Sequence, residues 1–406
     1  MQKIQVAVAM AALFMSACSI FETAPPAPAC APCPTCQVCT APPAASGAPA
    51  TPPFSRQLVA GKWSDLPGWS DDDHAAAWGA FLQSCRGMAG KPHGPAWKRV
   101  CDQAKGLGAT PSAAAARQFF EAHLVPFSVQ SSDGMATGMI TGYYEPLLRG
   151  SRHLAKGFEQ AVRGVPDDLL TIDLSAIFPE LKDKRVRGRL EGNRVVPYWS
   201  RSEIAARGDR LPSKTLLYVD DAVELFFLQV QGSGRVRLPD GSMVRLNYAD
   251  QNGHPYQSIG RILVERGELK LEEASMQGIQ AWARANPARL DDLLNTNPSY
   301  VFFREVPNGK EGPIGALGVP LTPERSLAVD PRSVPLGVPV FLATTRPNSG
   351  QALNRLMLAQ DTGGAIKGAV RADFFWGFGR GPGEMAGRMK QSGRMWLLLP
   401  PEAAPK

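Results

Sequence analysis

Residues 356–379 read LMLAQDTGGAIKGAVRADFFWGFG, and this stretch decides what the rest of the chain can be. It opens apolar, passes Asp361-Thr362-Gly363-Gly364, turns again at Lys367-Gly368, and runs through Arg371-Ala372-Asp373 into Phe374-Phe375-Trp376. Apolar runs bounded by glycine are the pattern of buried strands. Glycine pairs permit tight turns or close approach of backbone or ligand. Asp361 and Asp373 stand twelve positions apart, each at the edge of an apolar run. A carboxylate there is costly to ionise unless paired, so its pKa rises. That suits a general acid working at neutral pH. The ordinary alternative is an Asp serving a turn or an ion pair; two in one glycine-rich, aromatic-flanked segment weigh against it. In an extended strand Arg371 shares a face with Asp373, and a close guanidinium would lower the carboxyl pKa. The expectation is that Arg371 points away or binds a substrate carboxylate.

Around this stretch the pattern from residue 300 onward is one of short strands, over 300–303, 325–329, 339–343, 356–359, 371–376 and 395–399. Asp330-Pro331 and Pro335-Leu336-Gly337 are the turns between them. Residues 153–300 read as a separate unit. Strands fall at 169–173, 194–198 and 216–219, and helices at 259–266, 272–285 and 287–294. Phe226 to Gln231 alternates, so it is read as a half-polar strand with Phe227 and Gln229 on one face, stopped by Gly232-Ser233-Gly234. Asn247 to Gly253 is polar and turn-forming. Further upstream, Met139 to Pro146 reads as a strand ending in a turn; its Tyr143-Tyr144 pair beside Glu145 fits a sugar-stacking platform or plain core equally. After Asp71, Trp78, Phe81, Leu82 and Cys85 follow helical spacing, and Trp97, Val100, Cys101 and Ala104 repeat it. The two helices form a hairpin with both cysteines on the facing stripe, either disulfide-bonded or two core thiols. A third helix is expected from Thr110-Pro111, with proline at its first position, to about residue 124.

The 406 residues suffice for two domains, and 44% hydrophobic with 20% charged content is ordinary for a globular protein. A net charge of +7 comes without a Lys/Arg block or aromatic-basic interleaving, so no nucleic-acid partner is expected. The N-terminus is an address: Lys3, an apolar run over 4–17 too short to span a bilayer, then Cys18. Met15-Ser16-Ala17-Cys18 resembles the lipobox of bacterial lipoproteins, with Cys18 as the lipidated residue, and Ser19 resembles those sorted to the outer membrane. An exported compartment is oxidising and favours a Cys85–Cys101 disulfide. Residues 24–54 are rich in Pro and Ala and read as an extended tether. Cys30, Cys33, Cys36 and Cys39 within it are read as disulfides or incidental thiols rather than a metal site. No HExxH occurs and the five histidines are scattered, so neither metal nor cofactor is expected. Gly232-Ser233-Gly234 is not a nucleophile elbow. Asp361-Thr362-Gly363 matches the aspartic-protease triplet, but that chemistry needs two facing aspartates and no second copy is present.

Taken together, Asp330 in AVDPRSVPLG, Asp361 in DTGGAIKG and Asp373 in RADFFWGFG resemble the three-aspartate domain of the membrane-bound lytic murein transglycosylase A family. TGYYEP, FLQVQGSG, NYADQNGHPYQSIG and NPSYVFF also resemble it, so the likeness covers roughly residues 139–399. The resemblance implies a mainly β fold, a double-psi β-barrel with an inserted second β-rich domain and N-terminal helices. The parts would be a signal peptide over 1–17, a lipid-anchored tether over 18–55, a barrel from 56–152 and 303–400 with the three-aspartate segment at 320–399, and an insert over 153–302. A groove between barrel and insert would hold peptidoglycan glycan strands. The resemblance implies a lyase with Asp373 as its single catalytic residue, serving as acid and then base, and 1,6-anhydromuramic ends as product. Asp361 and Asp330 would support it. Tyr144, Gln229, Gln231, Ser233 and Asn252 are the groove candidates. The protein would sit on the periplasmic face of the outer membrane, held by lipid, with other wall-remodelling proteins as candidate partners. Two other readings stand: a hydrolytic muramidase with Glu145 or Asp361 as second carboxylate, and a non-catalytic wall-binding lipoprotein.

Overall fold

The computed structural model describes residues 58–405 apart from 182, 183, 185 and 310, all within one compact unit. The signal segment, Cys18 and the cysteines at 30, 33, 36 and 39 lie outside the described residues. A short strand, β1 (Leu58–Ala60), precedes three helices: α1 (His74–Met88), α2 (Gly94–Leu107) and α3 (Ala113–His123). Asp73, rather than Asp71, caps α1 by accepting from the backbone N–H groups of Ala75 and Ala76. The third helix is capped by Ser112, not Thr110: Pro111 precedes the cap, and the serine oxygen accepts from Ala115 N–H at 3.2 Å. Cys85 and Cys101 are disulfide-bonded across the α1–α2 hairpin, with Cα atoms 5.5 Å apart. Trp78 and Phe81 of α1 meet Phe119 and Phe120 of α3 at ring separations of 5.0 to 6.1 Å. Each fully buried ring contributes roughly 2–3 kcal/mol.

Beyond the helices come β2 (Val125–Val129), β3 (Gly138–Glu145), β4 (Leu147–Ser151), β5 (Gln160–Arg163), β6 (Leu170–Thr171), β7 (Arg187–Glu191) and β8 (Arg194–Pro197). Then follow α4 (Arg201–Arg207), β9 (Thr215–Val219), α5 (Ala222–Gln231), β10 (Ser233–Arg237), β11 (Met243–Gln251), α6 (Ile259–Glu265), α7 (Met276–Ala285), α8 (Leu290–Asn295) and β12 (Val301–Val306). The chain ends with β13 (Ser326–Val329), β14 (Pro339–Thr345), β15 (Ala352–Asp361), β16 (Ala372–Phe378), α9 (Arg380–Arg388) and β17 (Lys390–Leu399).

Six strands form a ring in the order β17-β14-β15-β13-β16-β3, and β3 pairs back with β17, so the sheet closes on itself. β1 and β2 extend it from β17. Closure leaves these six strands without open edges. Both faces of the ring are covered, which is why β14 reads as a continuous apolar run: Val340, Phe341 and Leu342 are all buried. The helical layer is fastened to β15 through the buried amide of Gln360. Its Nε2 donates to Ala80 O and Ser84 Oγ at 2.9 and 3.0 Å, and its Oε1 accepts from Ser326 Oγ at 2.6 Å.

Between β3 and β13 the chain builds a second, six-stranded sheet, β12-β11-β10-β4-β9-β5, and a three-stranded one, β6-β7-β8. β3 ends at Glu145 and β4 begins at Leu147, so Pro146 alone separates barrel strand from insert strand. The half-polar strand expected over 226–231 is instead the helix α5. Asp221 caps it, accepting from Val223 and Glu224 N–H at 2.7 and 2.9 Å, and Gly232 ends it in the left-handed region with φ 77°. Its apolar residues serve two cores. Val223 and Phe226 pack with α6 and α7, while Leu225 and Leu228 pack on the sheet. A helix buried on two sides loses the one-sided period that would have distinguished it from a strand.

Candidate active site

The site is set by strand register. Asp373 on β16 stands opposite Thr141 on the parallel neighbour β3 and opposite Ala328 on the antiparallel neighbour β13. Ala328 is in turn opposite Asp361 on β15. Thr141, Asp373, Ala328 and Asp361 thus form one row across four strands, and paired residues share a face. With strands about 4.8 Å apart, the two aspartate backbones lie about 10 Å apart, and Ala328 between them is buried in one apolar cluster with Tyr143, Ile366 and Phe375.

Asp373 is partly exposed, yet the protein mass around it is large. Burial pushes its carboxyl up, the Thr141 hydrogen bond and the Arg371 charge draw it back, and the Asp361 charge adds to the rise; it settles at about 6. Thr141 Oγ1 donates to Asp373 Oδ1 at 2.6 Å. Asp361 accepts from the Tyr143 hydroxyl at 3.2 Å and from Ala316 N–H at 2.9 Å. Tyr143 is buried against Phe375, and burial with the charges of Asp361 and Asp373 holds its phenol well above the ordinary value.

Arg371 does not point away. Its guanidinium donates to Thr141 Oγ1 at 2.9 Å and to the carbonyls of Met139 and Ala372. Backbone carbonyls of β3 and β16 are the acceptors that hold the side chain beside the row. Desolvation nevertheless outweighs its charge at Asp373.

Asp330 has another surrounding altogether. It is 1% exposed and accepts from Arg332 at 3.0 and 2.7 Å and from Gly368 N–H at 2.8 Å. Burial opposes its charge, but the Arg332 guanidinium and the two backbone donors prevail and hold it down to about 2. It closes the turn that delivers the chain into β16. Glu145 is buried and paired with Arg235 at 2.9 Å; burial still raises its carboxyl above the ordinary range. It stands opposite Phe378, several residues along β3 from the Thr141–Asp373 pair.

A cleft of about 490 Å³ runs beside Asp361, between the 361–365 loop and the 313–321 segment on one side and α5, β10, β11 and β12 on the other. Gln229, Gln231 and Ser233 line it, together with Tyr248 and Arg304. Tyr144 does not. It belongs to a smaller cavity of about 180 Å³, with Phe227, Met276 and α9. Its phenol is pushed up to about 12 by burial, and its backbone N–H donates to Gln231 Oε1 at 3.1 Å. Asn252 also lies away from the cleft: it donates to Trp199 O and Pro298 O and accepts from Tyr300 and His254 N–H. Its hydrogen-bonding capacity is taken up by the protein.

Three contributors were not singled out from the sequence: Thr141, Tyr143 as partner of Asp361, and Asn247. The last fastens the 313–316 segment by exchanging two 3.1 Å hydrogen bonds with the backbone of Ile314. Period-two alternation along TGYYEP puts Thr141 and Tyr143 on one face and Tyr144 on the other. That signal was available, but only once β3 was known to border β16. Gly142, between them, has no room for a Cβ: one would lie 2.7 Å from Trp376 Nε1 and 2.9 Å from the Ala386 backbone, so glycine lets α9 close over the strand. Among the described residues no group of three or more His, Cys, Asp or Glu side chains is placed to hold a metal ion.

Comparison with known proteins gives two family matches, the MltA specific insert domain over residues 139–304 and the 3D domain over residues 325–399. Membrane-bound lytic murein transglycosylase A of Escherichia coli (strain K12) is 34% identical over 279 residues, 67% of this chain and 68% of that protein. The crystal structure of MltA from Neisseria gonorrhoeae in its monoclinic form is 40% identical with a TM-score of 0.74, covering 84% of this chain and 92% of that one. E. coli MltA with bound chitohexaose is 27% identical with a TM-score of 0.61, covering 81% and 90%.

Proposed function

The chain belongs to the membrane-bound lytic murein transglycosylase A family, and we propose that Asp373 is its single catalytic acid and base. The enzyme is a peptidoglycan lytic transglycosylase, a lyase acting on glycan strands. The observation that carries the residue assignment is the surrounding of Asp373: one neutral hydroxyl donor, no direct ion pair, and a carboxyl raised to about 6. At neutral pH roughly a tenth of such a group is protonated, enough for general acid catalysis. Protonated Asp373 donates to the glycosidic oxygen between MurNAc and GlcNAc. An oxocarbenium-like transition state forms at C1. The carboxylate then takes the proton of the C6 hydroxyl of the same MurNAc, whose oxygen attacks C1 and closes a 1,6-anhydro ring. The attack is intramolecular and gains from proximity. Asp361, its oxygens steered by Tyr143 and Ala316, adds negative potential near the developing cation and helps keep Asp373 protonated.

The glycan strand occupies the cleft bordered by Gln229, Gln231 and Ser233, whose polar groups face its hydroxyls. Tyr144 and Asn252 support its walls instead. Asp330 keeps the turn before β16 in place. The hydrolytic alternative narrows to Asp361 as second carboxylate, because Glu145 is committed to Arg235.

Four relatives are named as membrane-bound, and no helix among the described residues is long and apolar enough to cross a membrane. The reading is a lipid anchor at Cys18 on the periplasmic face of the outer membrane, a tether over 18–55, a barrel, an insert whose bounds widen from 153–302 to 147–306 because β4 and β12 belong to its sheet, and other wall-remodelling proteins nearby.

The deciding experiment is mass spectrometry of muropeptides released from purified sacculi by the wild-type protein and by Asp373→Asn. Anhydro ends from the parent and none from the variant are expected. Reducing ends would move the reading to a muramidase. Binding to sacculi with no release by either protein would favour a wall-binding role.

A further inference from the structure

Arg371 touches Asp373 only through an intermediary. Its Nη2 donates to Thr141 Oγ1 at 2.9 Å, and Thr141 Oγ1 meets Asp373 Oδ1 at 2.6 Å. A guanidinium carries donors and no acceptor. The threonine oxygen therefore accepts from Arg371, and its own proton is free to go elsewhere. Among the described residues the one acceptor it meets is Asp373 Oδ1. Arg371 cannot easily leave this arrangement, because its Nη1 is held by the carbonyls of Met139 and Ala372.

We propose that Thr141 and Arg371 are positioning residues that reserve Asp373 Oδ1 as an acceptor, so that the acid's proton always sits on Oδ2 and one oxygen performs both halves of the transfer. The inference rests on the assignment of Asp373 as the acid. In the first half the Oδ2–H bond breaks as the leaving oxygen takes the proton and the electron pair of the C1–O bond. In the second half Oδ2 regains a proton from the C6 hydroxyl as that oxygen forms its bond to C1. Electrons and protons balance without a further reactant. Oδ1 does not change partners at any point, so the carboxyl need not rotate between the steps.

The same chain of contacts explains how an arginine can sit beside a working acid. Its charge is passed to the carboxylate through a neutral hydroxyl. That charge favours the ionised carboxyl, but by less than desolvation opposes it. Four ionisable groups face Asp373 and Thr141: Arg371, Asp361 on β15, Tyr143 on β3, and Lys390, which stands opposite Thr141 on β17. Only Arg371 bonds to the Thr141 hydroxyl.

The test uses Thr141→Val, which keeps the shape and removes the hydroxyl, with Thr141→Ser as the conservative control and Arg371→Met. The Asp373 carboxyl is titrated by ¹³C NMR in each full-length protein, its resonance assigned by loss in Asp373→Asn. Anhydro-muropeptide release is followed against pH in parallel. Expected is an upward move of the Asp373 midpoint by about one pH unit in Thr141→Val, since a donor to the charged form is lost. The basic limb of kcat/KM should move with it, kcat should fall about tenfold or more, and Thr141→Ser should restore all three. Arg371→Met should move the limb the same way by less. An unmoved midpoint and limb in a folded Thr141→Val protein would overturn the clamp, as would a Thr141→Ser protein that behaves like Thr141→Val. The underlying reading fails separately: activity retained by Asp373→Asn removes the acid itself, whatever Thr141 does.

Discussion

Asp330 and Asp373 are two aspartates of one barrel, each close to strand β13 or β16, and they are held in opposite states. Asp330 is the more deeply buried, yet it is kept charged by a bidentate arginine and backbone N–H groups and lies at about 2. Asp373 is more exposed, receives one hydroxyl, and rises to about 6. Desolvation raises both carboxyls; at Asp330 the bidentate arginine and the backbone donors outweigh it, and at Asp373 one hydroxyl and an indirect guanidinium do not. One region spends its hydrogen bonds on fixing a turn. The other leaves its carboxyl under-supplied, which is what keeps a proton available there.

The largest effect expected from this contrast is on turnover. Asp373→Asn should lower anhydro-muropeptide release by on the order of 10³-fold, while Asp330→Asn should leave kcat of the folded fraction within a few-fold; measuring both on the same sacculi breaks the comparison if they fall alike. Next comes stability, where the same Asp-to-Asn change should act with opposite signs. Asp330 has a folded pKa below its unfolded value, so its contribution is present above about pH 4 and is lost as pH falls toward 2. Removing it should cost about 2 kcal/mol in urea unfolding at pH 7. Asp373 has a folded pKa above its unfolded value, so the fold is favoured below about pH 4 and loses that advantage as pH rises through 6. Asp373→Asn should therefore stabilise at pH 7 by about 2 kcal/mol, and equal destabilisation of both variants would contradict the two surroundings described. A third effect is on the pH profile: wild-type activity should decline above about pH 6 as the acid form is lost. The smallest concerns Asp361, whose charge is the least of the influences raising Asp373. Asp361→Asn should move the basic limb of activity downward by less than about one pH unit, and an upward move would mean that its charge does not oppose ionisation of Asp373.

Much of this site could be read from residues alone because glycine and proline mark the ends of the strands that carry it. Asp361 and Asp373 stand out by their place at the edges of apolar runs, and the α1–α2 hairpin by its helical spacing. What escaped was what depends on neighbours distant in sequence. Thr141 matters because β3 pairs with β16, which no local pattern states. Asn252 was read as a groove residue from a polar, turn-forming segment, but polarity does not tell a ligand contact from an internal staple, and its amide is consumed by Trp199, Pro298 and Tyr300. The helix α5 reads as a strand because six residues of alternation fit both periods when both sides are buried.

The pairing of β3 with both β16 and β17 has a consequence for timing. A chain made from its N-terminus produces Thr141 early and Asp373 near the end, with the whole insert between them. Contacts of such long sequence separation form slowly and late. The row of Thr141, Asp373, Ala328 and Asp361 therefore does not exist until the last strands have been made and the ring has closed. A chain that lacks β16 and β17 has neither Asp373 nor the partners that close the ring onto β3. Assembly of that row is thus tied to the last step of building the ring.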